Sequence, residues 1–387
     1  MASSSSHGDD KRAVRVRDVA GRTLTGELVR LGSRRVAVRG KATKSMAIDD
    51  VLRIDRSAAA AARTTANALI YLANGDRLAA TPTKIAGDDL HIVWAGPSER
   101  VSLKLPLSSV RAILLQRPDD RADAARLESA LRIHSARKDL IVFRNGDRAT
   151  GRLKSLGETA ATLSGTTGKI ARKDIAAIAF DPQYVETSIP LARGWLAILR
   201  DGSRLTAKSV VWREGKLRLE TLFGRTVVLP WGALVSLRRI SPGVVPLSSL
   251  APATYKYTPF LSGKRTLQID RNVLGGTLSL RGTDYTVGLG MHSKSRASFA
   301  VPRGARHFLA LVGIDDAARG RGDAVFAVEV DGKRVFESKA LTGKDQPVSV
   351  GPISLSGAKR LTLIVDFGPF GDILDYADWC DAVIVKR

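Results

Sequence analysis

Val325-Phe-Ala-Val-Glu-Val-Asp-Gly-Lys-Arg-Val-Phe336 is the stretch that decides the fold. Phe326, Val328 and Val330 alternate with Ala327 and Glu329, so they share one face of a strand, because side chains change sides with period two. Asp331-Gly332 is a two-residue reversal, since Asp-Gly tolerates the positive φ that a tight hairpin needs, and Val335-Phe336 begins the return strand. Similar runs surround it at 277–280, 297–301, 307–312, 348–350, 353–355, 361–366 and 382–385. Many short strands with no helical stretch predict an all-β, antiparallel sandwich or jelly roll over residues 246–387.

At 387 residues the chain is longer than the ~250–300 at which single cores stop growing, so more than one domain is expected. Working back from the sandwich, residues 13–240 carry one small pattern four times. Each copy has a turn, at Ala20-Gly21-Arg22, Asn74-Gly75-Asp76-Arg77, Asn145-Gly146-Asp147-Arg148 and Asp201-Gly202-Ser203-Arg204, read as a two-residue hairpin. Each copy closes on a nine-residue pattern, apolar at its first, sixth and ninth places. These are Met46, Val51 and Ile54; Leu105, Val110 and Ile113; Ile170, Ile175 and Ile178; and Leu229, Leu234 and Leu237. The pattern predicts a strand end, one tight helical turn and a final short strand.

The expected units are 13–56, 69–116, 138–181 and 193–240, four tandem small β units of SH3-like or Sm-like content after a disordered N-terminus over 1–12. Between the second and third, Ala124, Leu127, Leu131 and His134 at helical spacing predict one short inserted helix over 119–137 whose apolar stripe packs on a barrel.

The net charge is +23 and is unevenly placed. Residues 251–387 hold 19 Lys+Arg and 14 Asp+Glu, a net of +5, leaving 42 against 24, or +18, for residues 1–250. That surplus fits either a polyanion partner or an arginine-rich solvated surface. The single Cys380 excludes an intrachain disulfide and reads as a small core residue. No apolar run reaches the ~18–20 residues of a membrane span, and the first ten residues lack a signal-peptide core. The five histidines are scattered, and no Cys–His cluster, phosphate-binding glycine loop or G-x-S-x-G elbow is present. A non-catalytic protein is expected.

Five pieces of the C-terminal third, in order, resemble the NPCBM family of carbohydrate-binding modules. They are Leu247-Ser-Ser-Leu-Ala-Pro-Ala-Thr-Tyr-Lys-Tyr-Thr-Pro-Phe260, Tyr285-Thr-Val-Gly-Leu-Gly-Met-His-Ser293, Val312-Gly-Ile-Asp-Asp316 with Gly320-Arg-Gly-Asp323, Phe326-Ala-Val-Glu-Val-Asp-Gly332 and Ala377-Asp-Trp-Cys-Asp-Ala382. The resemblance implies a galactose-binding-like jelly roll, often joined to glycoside hydrolases or envelope proteins, and hence a glycan or polysaccharide partner and an exported or envelope location. The combination with several small β units also resembles large proteins of planctomycete bacteria.

Sugar hydroxyls are held by planar, multi-point hydrogen-bonding groups, and sugar ring faces pack on aromatics. The loops supply His292, Ser293, Asp315, Asp316, Arg319, Arg321, Asp375, Asp378 and Trp379 as candidate ligand-binding residues. Each also has a structural reading: His292 as a turn cap, Asp315 and Asp316 as fasteners of loop amides, and Trp379 as core. No cofactor is expected. Modules of this kind commonly carry a structural calcium, for which the loop carboxylates would be ligands, although no EF-hand spacing appears and no ligand is assigned. Two rival functions remain at this level: polyanion binding by the basic repeats, and a structural assembly protein whose sandwich has no ligand.

Overall fold

The computed structural model describes residues 12–57, 68–95, 100–118, 123, 127, 128, 130, 131, 133–186, 191–260, 263–369 and 371–386. The N-terminus expected to be disordered lies outside them but for Arg12, and the expected helix over 119–137 is described only in part. Within it, Leu131 is buried and Leu127 packs with Leu69, Ala112 and Leu140. The chain forms two compact units, one of 1–16 and 24–240, the other of 17–23 and 241–387. Residues 17–23, assigned from the sequence to the first small unit, therefore group with the C-terminal one.

Unit 1 is built from the four copies, but not as four separate barrels. The four turns share one geometry. In the second, Leu72 N donates to Asp76 O at 2.9 Å and Gly75 N to Leu72 O at 3.1 Å, and the same pair recurs at Phe143, Leu199 and Asp18. This is a three-residue loop in which only the glycine takes positive φ, +80° to +91°, rather than the two-residue hairpin expected. A type I turn followed by a left-handed glycine produces it.

Each closing pattern contains the expected helical turn, one turn of 3-10 helix at Ile48–Asp50, Leu107–Ser109, Arg172–Asp174 and Trp231–Ala233. The final strands then pair between copies. Ile113 stands opposite Ile178, and Leu237 opposite Ile54. Copies two and three thus share a sheet, as do one and four. Strands 204–213, 194–199, 234–240, 51–56, 13–18 and 23–31 run side by side, and Trp212 opposite Leu31 closes the ring. A segment of ~45 residues buries little surface on its own, and the four copies share one continuous core.

Unit 2 is the predicted sandwich. One sheet runs Gln268–Ile269, Gly288–His292, Tyr376–Val385, His307–Ile314 and Val348–Ser354, with Val244–Pro246 also on Tyr376–Val385. The other runs Thr254–Tyr257, Ser295–Ala300, Arg360–Phe367, Asp323–Val330 and Lys333–Glu337. Val330 pairs with Lys333 around Asp331 and Gly332, whose φ of +49° and +85° are those of the two-residue hairpin read from the sequence. Phe299 and Phe326 from one sheet meet Phe308 and Trp379 from the other, with the Phe326 and Trp379 rings 5.5 Å apart, edge to face. The last strand starts at Tyr376, six residues before the 382 expected, and this moves two candidate site residues out of the loops.

Candidate functional site

His292 ends its strand opposite Tyr376 and is followed by Ser293. Its Nδ1 lies 2.8 Å from Ser293 O; a carbonyl only accepts, so Nδ1 carries the proton and Nε2 remains the variable atom of the ring. Burial, and then the nearby Arg265 charge, push the imidazole pKa below its usual value, so the ring is neutral at pH 7. Tyr257 meets it edge-on with centroids 6.1 Å apart, and Tyr376 lies tilted at 6.2 Å. The charges of Arg265 and Asp372 are both felt at His292 and at Tyr257. Further along the rim, Phe260 is exposed and packs edge-on to Phe367 at 5.6 Å, while Lys294 Nζ sits 5.8 Å above Phe367 and 3.5 Å from Asp366.

Asp375 braces this corner. Its Oδ2 accepts from Ser293 Oγ, and its Oδ1 accepts from Asp323 N at 3.0 Å. Burial, with the charges of Asp323 and Asp372 adding to it, pushes its carboxyl up to about 6. Gly322 holds the adjoining loop at φ +75°, where a Cβ would come 2.1 Å from Leu374 O, so only glycine allows this approach.

The remaining candidates lie elsewhere. Asp315 accepts from Asn272 Nδ2, Ala317 N and Ser279 N at 3.0, 2.8 and 2.9 Å. Asp316 accepts from Ser279 Oγ, Arg281 N and Gly282 N at 2.6, 3.0 and 2.7 Å. Both carboxylates are occupied in pinning the hairpin of Leu278–Leu280 and Thr283–Tyr285. Asp378, expected in a loop, is a strand residue with no exposure; burial and the charge of Asp315 hold it well above the carboxylate range, and Asp315 is raised as well.

Trp379 is core, not surface, with no exposure at all. Arg319 and Arg321 are exposed, Arg319 at a left-handed φ of +54° ending the turn Asp316–Ala318. The nine candidates therefore separate. His292, Ser293 and Asp375 come together; Asp315, Asp316 and Asp378 form a second, internal cluster. Among the described residues, no group of three or more His, Cys, Asp or Glu side chains is arranged to hold a metal ion.

Sequence reasoning did not single out Tyr257, Phe260, Arg265, Lys294 or Phe367. Tyr257 and Phe260 stood in the opening segment that carried the family resemblance, which was the available signal.

Against known proteins, residues 243–385 match the family model of the NPCBM/NEW2 domain. A protein of Renibacterium salmoninarum named as an endo-alpha-N-acetylgalactosaminidase is 32% identical over 108 residues, 28% of this chain and 7% of that protein's length. The chain thus spans a small part of that relative. Among solved structures, a CBM51 from Clostridium perfringens GH95 in complex with methyl-galactose is 25% identical, covering 37% of this chain and 99% of that one with a TM-score of 0.34. The CBM51-2 and INT domains of Clostridium perfringens ZmpB, in complex with GlcNAc, are 24% identical over 51% of this chain and 45% of that one, with a TM-score of 0.34. The C-terminal unit, residues 243–385, is an NPCBM/NEW2 domain.

Proposed function

We propose that the C-terminal unit binds a carbohydrate at the His292 corner and performs no chemistry on it. One observation carries this reading: a neutral imidazole with its tautomer fixed by Ser293 O, flanked by Tyr257 and Tyr376 and by the charges of Arg265 and Asp372. A sugar needs this combination, an aromatic edge or face for its C–H surface and planar polar groups for paired hydroxyls. His292 is itself only 3% exposed, so in this reading the ring meets the sugar at its edge, and the fully buried Asp375 and Ser293 act by positioning it. Arg321, on the loop that Gly322 ties to Leu374, is a peripheral contributor in this reading. Asp315, Asp316, Asp378 and Trp379 are assigned to structure.

The N-terminal unit serves as scaffold, and its surplus of positive charge favours an anionic polymer as a second partner. Titration calorimetry of the intact chain with methyl-galactoside, GlcNAc and GalNAc tests the sugar site. Binding of at least one of them should weaken tenfold or more in Tyr257→Ala and His292→Ala, by analogy with the ~1–3 kcal/mol of a lost aromatic or buried polar contact. Equal affinity in the wild type and both variants would remove the site.

A further inference from the structure

We infer that unit 1 carries a second binding surface, the sheet face of its first hairpins, and that its ligand is an anionic polysaccharide. The strands are β1 (Ala13–Asp18), β2 (Thr23–Leu31), β3 (Arg35–Arg39) and β4 (Thr43–Ala47), side by side in that order. Residues 28–47 contain six basic side chains, Arg30, Arg34, Arg35, Arg39, Lys41 and Lys44, and no acidic one. All six are exposed.

The register puts Arg30, Arg35 and Arg39 on one face, while Lys44, opposite Val38, points to the other side and Arg34 and Lys41 lie in the flanking turns. Arg30 of β2 stands opposite Ala37, and Ala37 opposite Ser45 of β4, in one cross-strand row. Arg35 and Arg39 flank Ala37 at two residues either side and so point the same way. Arg39 is directly opposite Glu27, whose two oxygens hold Arg39 Nη1 at 3.5 Å and Arg12 Nη2 at 2.7 Å. One carboxylate therefore fixes two guanidiniums without neutralising both. Arg35 Nη2 donates to Ser45 Oγ at 2.7 Å, a contact that orders it and leaves its charge intact. Among the described residues, Arg30, Arg34, Lys41 and Lys44 meet no acidic partner.

Arg35 and Arg39 stand ~7 Å either side of Ala37 along β3, with Arg30 diagonal to both, and like charges at that spacing repel one another. A polyanion relieves that repulsion and gains the release of its own counterions. No aromatic side chain lies between Leu24 and Ala47, so the face lacks the stacking platform that reads single-stranded nucleic acid. The choice of a polysaccharide rests on the carbohydrate reading of unit 2; the charge argument does not.

The intact protein is titrated with heparin, with polygalacturonate and with duplex DNA between about 50 and 200 mM salt. Combined Arg30→Ser, Arg35→Ser and Arg39→Ser, the three basic residues of that face, should weaken polysaccharide binding about tenfold or more at the lower salt and flatten the log–log salt slope by about 2. Combined Lys84→Ser, Arg100→Ser and Lys104→Ser removes the same charge from exposed positions of the sheet Ala80–Ala86, Asp89–Ala95 and Arg100–Pro106, and should change affinity less than about twofold. Arg34→Ala with Lys41→Ala, outside the strands, repeats the test without touching the pairing. His292→Ala should keep polysaccharide binding while losing the neutral sugar, which separates failure of this inference from failure of the sugar site. Absence of binding to both polysaccharides, an equal loss in the control triple, or binding of DNA alone would overturn the inference.

Discussion

Replacing Asp375 by Asn should alter stability by an amount that depends on pH, and the sign can be worked from the structure. The wild-type carboxyl titrates near 6 in the fold against 3.8 in the unfolded chain, with burial as the main cause. A raised acid favours the fold while it is protonated in both states. That contribution is complete below pH 3.8 and is lost as pH rises through 6. The difference of about 2 units is worth ~3 kcal/mol at ~1.4 kcal/mol per unit, or ~1.5–3 kcal/mol allowing for water at this rim.

Asn does not titrate, so it lacks this loss, although it can offer only one oxygen where Ser293 Oγ and Asp323 N now use two. The variant should therefore be clearly less stable than wild type at pH 4 and close to it, or better, at pH 7. The assay is urea unfolding of both proteins at pH 4, 5, 6 and 7, since the linear extrapolation resolves such differences. Asp315 and Asp378, also raised, are present in both proteins and cancel in the difference. A stability difference that stays constant over this range, or grows in favour of wild type at pH 7, would refute the account of Asp375.

Trp379→Ala should cost the C-terminal unit ~3–5 kcal/mol, because the indole is fully buried between Phe308 and Phe326; denaturant unfolding reads it. Gly322→Ala should lower the melting temperature and weaken sugar binding together, since its Cβ would meet Leu374 O and displace Asp375, at a cost of ~1–3 kcal/mol. Asp316→Ala should destabilise by ~1–3 kcal/mol through three lost hydrogen bonds and leave sugar affinity unchanged in calorimetry, the opposite of what a ligand contact would show.

What was legible in the sequence was local. Alternation at Phe326, Val328 and Val330 with Asp331-Gly332 located a hairpin whose two-residue turn the structure matches, because pleat and turn chemistry act within a dozen residues, whereas the bulge that then sets Val328 opposite Phe336 was not legible. The closing pattern gave the 3-10 turns for the same reason. Partner choice was not legible: Ile113 meets Ile178 across 65 positions and Leu237 meets Ile54 across 183, and nothing near either residue encodes the other.

The site divides along the same line. Alternation in Asp378-Trp379-Cys380 shows which residues share a face, and it does not show that both faces are covered. Trp379 points into the sandwich, while Cys380 lies under Leu278, Leu280 and Tyr285 of the hairpin that Asp315 and Asp316 pin down. Asp315 and Asp316 accept hydrogen bonds from the hairpin and its neighbours, and the aromatic corner brings together Tyr257, His292 and Tyr376, 119 residues apart at its limits.

The most direct test of the carbohydrate site is a glycan array probed with the intact protein beside its His292→Ala variant, both shown by circular dichroism to be folded. The account predicts that the wild type marks a defined set of glycans and that the variant loses them. A folded wild type that marks none, or a variant that keeps the same set at the same strength, would contradict it.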